Sequence, residues 1–229
     1  MEKETLTKIK TIINNRIIDF IRLSVDIIKE KLDIHSIAKN LNSMLIKKML
    51  GLQMLSYEEM TLLKNRVIFK TVSTRNNGFV KESMSFPKIN FSDMMKNSWV
   101  KSEVYNCFSE KIIVLFIFEK SKYETIFKNV KYLELSENEI GKIAILWHKV
   151  KELILTNQYK LGGKHGYSIT NLPGSKENDV AHIRPHDQNA NNAKVRLPNG
   201  QMTINYCFWL NRKFIENNIK ELLDGKDKN

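Results

Sequence analysis

The sequence predicts an α+β fold, with helices first, a mixed β-sheet in the middle and further helices flanking it. Three observations carry that expectation. Apolar residues recur at helical spacing up to about Lys64, the period switches to that of strands from Val67, and it becomes helical again after Glu137.

Between Leu6 and Leu32, Ile9, Ile12, Ile13, Ile17, Phe20, Ile27 and Ile28 fall at mixed three- and four-residue intervals, which predicts an amphipathic helix of several turns. Ser36 is placed to cap a second helix that runs to about Leu50 and closes at Gly51. Ser56, followed three residues on by Glu59, forms a capping box for a third. Val67 to Val72 then reads as a strand, Asn76-Asn77-Gly78 as a hairpin turn, and Phe79 to Phe86 as the returning strand. Ile112 to Phe118 is apolar at every residue, as a strand covered on both faces would be. Tyr123 to Leu135 is a further strand candidate. Ile140, Ile143, Ala144, Trp147, Val150, Leu153 and Ile154 form one stripe of a helix from Glu137 to about Leu161, stopped by Gly162-Gly163. Short strands are expected near Val180–Ile183 and Met202–Leu210, separated by a polar tract holding Asn189, Asn191 and Asn192. A last helix is expected from Phe214 to Leu223.

Lys and Arg number 37 against 25 Asp and Glu, a formal charge of +12 and an isoelectric point near 9.5. A field of that sign favours a polyanion, nucleic acid or an acidic membrane face. Most of the excess is lysine in a chain rich in Ile and Asn, so an A+T-rich gene explains it equally well. Cys107 and Cys207 make no disulfide pattern and are expected reduced and buried, consistent with a cytoplasmic protein. Met1 is followed by Glu2-Lys3-Glu4, so no secretory signal is expected. The longest unbroken apolar run, Ile112 to Phe118, is far below the ~20 residues that span a bilayer. A soluble protein without a membrane partner is expected.

A metal-dependent nuclease needs carboxylates to hold magnesium and activate water. Among the 25 acidic residues, only Asp224 stands two before a lysine (Lys226), in a charged tail. The strand expected at Val67 reads Ile68-Phe69-Lys70: a lysine with no acid before it. His182-Ile183-Arg184-Pro185-His186 is the most unusual segment. An HNH-type nuclease reading needs a further histidine beyond the asparagines, and none follows His186. A zinc pair at His182 and His186 has helical spacing with Pro185 between the two. The segment fits either a plain strand end or a nucleic-acid contact, in which Arg184 grips guanine or phosphate and a histidine donates to base edges. Three of the seven arginines, Arg184, Arg196 and Arg212, fall in the last fifty residues, with Lys194 and Lys213 and interleaved with Tyr206, Phe208 and Trp209. On a strand Phe208 faces a core and Trp209 faces out, although all three aromatics also fit a core. Cys107 and His148 lack a third partner for nucleophilic catalysis.

From about Ile37 onward the chain resembles the MutH family of mismatch-repair nicking enzymes and GATC-cutting restriction enzymes. The resemblance rests on Met49-Leu50-Gly51, Phe69-Lys70-Thr71, Trp99 with Ser102, Val114 to Ile117, His182 to Pro185, and Phe208 to Phe214, in that order and spacing. It implies a restriction-endonuclease-like sheet flanked by helices, with an N-terminal helical extension. The family's helix Glu, its Asp and its Glu-x-Lys, laid on this chain without a gap, fall on Lys47, Thr61, Ile68 and Lys70. All three carboxylates are replaced, so the resemblance implies a domain that does not cut, with no cofactor of its own.

The family's DNA-reading positions fall on Arg184, Pro185 and His186, with the aromatic beside the adenine on Trp209. Its arm residues, a Glu and a Phe that wedges into the base stack, fall near Glu82 and Phe86. The basic residues Lys194, Arg196 and Arg212 complete the expected DNA-binding set. His186 and Trp209 depart from the lysine and tyrosine usual in the family. Some GATC-cutting members hold two MutH-like halves, and this chain matches the half without carboxylates. The resemblance therefore implies a GATC-binding effector partnered with a catalytic half, magnesium being needed only there, and self-association is left open. Residues 1–34 are then a junction helix, 35–224 the DNA-binding domain and 225–229 a charged tail. The competing expectations are an active magnesium nuclease with an atypical site and a basic protein-interaction module.

Overall fold

Capping and strand pairing divide the chain into short elements, seen in a computed structural model that describes residues 2–36, 41–75, 78–163, 166–186 and 194–223. In chain order these are α1 (Lys3–Ile17), α2 (Val25–Lys31), α3 (Leu41–Met49), α4 (Tyr57–Arg66), β1 (Val67–Arg75), β2 (Met84–Lys88), α5 (Phe91–Lys96), the single turn α6 (Glu103–Tyr105), β3 (Ile112–Lys120) and β4 (Thr125–Leu133). There follow α7 (Glu137–Leu155), β5 (Leu161–Gly162), β6 (Ser168–Ile169), β7 (Ala181–Pro185), β8 (Lys194–Arg196), β9 (Met202–Ile204), β10 (Tyr206–Leu210) and α8 (Arg212–Leu223). The fold is mixed α+β, as expected. Its contacts form two units: residues 1–81, 110–134 and the chain from Glu216, and residues 82–109 with 135–215.

The first unit is built on a sheet of order β1-β3-β4, with β1 parallel and β4 antiparallel to β3. Every side chain from Ile112 to Phe118 is buried, which explains the absence of alternation in the sequence. Ile9, Ile13 and Ile17 of α1 share one core with Leu45 and Ile46 of α3 and with Val114, Phe116 and Phe118. Each such burial contributes roughly 1.5–3 kcal/mol, so the opening helix is part of this core.

The single helix expected from Leu6 to Leu32 is interrupted. The chain leaves α1, makes a 3₁₀ turn at Ile18–Phe20, and runs antiparallel to β4: Arg22 N–H donates to Phe127 O at 2.8 Å and Phe127 N–H to Leu23 O at 3.0 Å. Arg22 adopts a left-handed φ of 66° there, and Ser24 caps the restart at α2. The Ser56 capping box of α4 is present as read, both arms made. Gly51, at φ 53°, ends α3; the start of that helix lies outside the described residues.

The second unit centres on an antiparallel sheet of order β2-β10-β7. Here the expected hairpin after β1 is corrected. Residues 79–86 do not return along β1 as one strand: beyond the short bridge Thr74–Val80, the segment becomes β2 and pairs with β10 instead. Asn76 and Asn77 lie outside the described residues. The strand expected from Met202 to Leu210 is likewise two, broken at Asn205: β9 pairs with β8, and β10 with β7 and β2. Helix α7 starts at a second capping box, Ser136 with Glu139, and buries Ile143, Leu146, Trp147, Val150 and Ile154. It ends at Leu155 rather than at the glycine pair, because Asn157 takes the left-handed φ of 53° that closes it and Leu161–Gly162 is already strand. Among the described residues no helix is long and apolar enough to cross a membrane.

Candidate functional site

Strand β10 lies between β7 and β2 and fixes which side chains meet. Its register with β7 pairs Cys207 with Arg184 and Trp209 with His182, and on its other edge Cys207 pairs with Lys88 and Trp209 with Ser85. Opposed residues of an antiparallel pair point to the same face. Arg184, His182, Cys207, Trp209 and Lys88 therefore share one face, while Phe208, Ile183 and Leu210 pack into the core on the other.

On that shared face the arginine meets the tryptophan diagonally. The Arg184 guanidinium carbon lies 3.9 Å from the centroid of the Trp209 ring, and the His186 ring is 6.3 Å from the same ring at a tilt of 41°. Arg184, Pro185 and His186 are exposed and Trp209 is half-buried. The indole Nε1 of Trp209 is buried and has no hydrogen-bond partner among the described residues. His186 is anchored through its backbone, donating its N–H to Asn205 O at 3.0 Å, which is where the chain changes from β9 to β10.

One step inward, His182 is 5% exposed, and its Nδ1 is 2.6 Å from Asn211 Oδ1. Asn211 Nδ2 donates in turn to Asn178 O at 2.8 Å. Desolvation holds the imidazole below its ordinary pKa; the Asn211 hydrogen bond opposes that shift and the Arg184 charge adds to it. His182 is thus a satisfied interior histidine, turned to Asn211 and not paired with His186 on a zinc.

The other residues expected to touch DNA lie in the same unit but do not all share this face. Glu82 is exposed just before β2. Phe86 is not: only 4% exposed, it packs against Phe108 with ring centroids 4.5 Å apart. Its expected role as a wedge in the base stack would need that packing to open. Arg196 is exposed on β8, the strand that Lys194 opens. Arg212 begins α8 and donates its backbone N–H to Ser83 Oγ at 3.2 Å. Lys88, exposed at the end of β2, was missed by sequence reading; its place opposite Cys207 depends on a pairing more than a hundred residues distant, which no local pattern signals.

The four positions aligned with a nuclease centre all fall in the first unit. Lys47 is exposed on α3 and Thr61 on α4, while Ile68 and Lys70 are half-buried on β1, paired with Ile113 and Leu115. Among the described residues no group of three His, Cys, Asp or Glu side chains could hold a metal ion. Cys107 and Cys207 are both buried.

Fold and site thus define a mixed α+β chain that carries an exposed arginine and histidine beside a half-buried tryptophan on the face of a small sheet. The comparison with known proteins gives that chain a relative. The chain is 26% identical, over 253 aligned positions, to the type II restriction enzyme Sau3AI of Staphylococcus aureus, in a match covering 94% of this chain and 52% of that enzyme. The chain is thus similar to a restriction enzyme, and it spans about half the length of the curated relative it matches. No family model matches the chain.

Proposed function

We propose that this domain binds duplex DNA at GATC sequences without cleaving it, as the effector half of a type II restriction endonuclease whose other half carries the magnesium site. The observation that carries the reading is the Arg184–Trp209 stack, flanked by exposed Pro185 and His186. An exposed arginine supplies five planar N–H donors, which match guanine O6 and N7 or a phosphate bidentately. The restriction-enzyme relative and the net charge of +12 support the same partner. The positions Lys47, Thr61 and Ile68 offer no carboxylate, which supports a binding role over a cutting one. Lys194, Arg196 and Arg212 serve in this reading as phosphate and flanking contacts and Glu82 as the arm residue, with Phe86 left to the core.

Fluorescence anisotropy with a labelled ~20-base-pair duplex tests the reading, since specific protein–DNA complexes are typically ~10³-fold or more tighter than non-specific ones. Preference for GATC over a scrambled duplex, with affinity falling steeply in salt, is the expected result. No binding at ~50 mM salt, where phosphate contacts are still strong, would return the domain to a protein-interaction role.

A further inference from the structure

The Arg184–Trp209 geometry carries a division of labour that the resemblance does not supply. We propose that Trp209 is a positioning residue for Arg184, holding its guanidinium toward DNA, and that it does not itself contact a base. The proposal rests on the DNA-binding reading of this site.

Four observations support it. Arg184 is the exposed penultimate residue of β7, where a long side chain samples many rotamers unless something fixes it. Trp209 is two residues along β10 from Cys207, the residue opposite Arg184, so the two side chains reach each other diagonally. The 3.9 Å separation sets the guanidinium over the Trp209 ring, and the ring face beneath it is shielded from a base. A stacked guanidinium keeps its in-plane donors free at its edge. The ring itself is held by packing, because it is half-buried on β10. A fixed ring beneath a charged, exposed fork lowers the ordering cost of that fork on binding.

The test is a double-mutant cycle on GATC and scrambled duplexes with the whole chain. Trp209→Ala is expected to weaken GATC binding about three- to tenfold, the loss from freeing one side chain, with scrambled-duplex affinity and salt slope unchanged. Trp209→Phe, which keeps a ring under the cation, should recover to within about twofold of wild type. The double variant Arg184→Ala/Trp209→Ala should bind no more weakly than Arg184→Ala alone. Additive losses would mean that Trp209 meets the DNA directly and would overturn the proposal, as would a Trp209→Phe no better than Trp209→Ala. If Trp209→Ala fails to fold, the Arg184 Nε–H resonance of the free protein decides: a ring-current shift in wild type that changes in Trp209→Phe supports the stack, and an unshifted resonance overturns it. Failure of the wild-type chain to bind any duplex would overturn the DNA reading itself, a result distinct from additivity in a protein that binds.

Discussion

His182 and Asn211 form the hydrogen bond that ties the β7 end of the site to the start of α8, Nδ1 to Oδ1 at 2.6 Å, in surroundings that leave His182 only 5% exposed. Burial keeps the folded-state imidazole below the ordinary value of 6.5. As pH falls through that value the unfolded chain takes up a proton before the folded one does, so stability rises with pH in this window. The contribution is complete above 6.5 and lost on acidification. Thermal midpoints measured between about pH 7 and about pH 5 should therefore fall more steeply for wild type than for His182→Gln. Parallel profiles would show that His182 protonates as freely folded as unfolded.

The same pair makes Asn211→Ala destabilising. Truncation leaves a buried imidazole nitrogen and the Asn178 carbonyl without their partner, an unsatisfied-group cost of about 1–3 kcal/mol. Urea unfolding measures it, and a change within about 0.5 kcal/mol, as at an ordinary surface site, would assign the bond no structural weight.

Phe86 separates a core role from a DNA role. Packed on Phe108 at 4.5 Å, it should cost ~3–5 kcal/mol of stability when changed to alanine. Phe86→Leu, which preserves most of the apolar volume, should fold and keep the wild-type preference between GATC and scrambled duplex. Loss of that preference in a stably folded Phe86→Leu would restore the wedge.

The replaced carboxylates give a chemical prediction. Incubated alone with magnesium and a GATC-bearing plasmid, the chain should leave the plasmid supercoiled, because Lys47, Thr61 and Ile68 provide no oxygen-donor set for a hard cation. Cutting that disappears in Lys70→Ala would establish an atypical nuclease site on β1.

What could be read ahead of the structure was local. The unbroken apolar run of β3, the Ser56–Glu59 capping box and the in-and-out alternation of Phe208 and Trp209 all follow from residues a few positions apart. What escaped depends on distant partners. The break between α1 and α2 exists because β4 hydrogen-bonds the segment around Leu23. Residues 84–88 pair with β10, not with β1, and that pairing both buries Phe86 and brings Lys88 opposite Cys207. The stack of Arg184 on Trp209 likewise requires the β7–β10 register, which neither strand encodes alone.

The central claim, that this domain reads DNA sequence through the β7–β10 cluster, is tested most directly by Arg184→Ala titrated against GATC and scrambled duplexes at matched salt. The expected result is a loss of ~1–3 kcal/mol on GATC and a much smaller loss on the scrambled duplex. Equal losses on both duplexes would reduce Arg184 to a phosphate contact and contradict the claim.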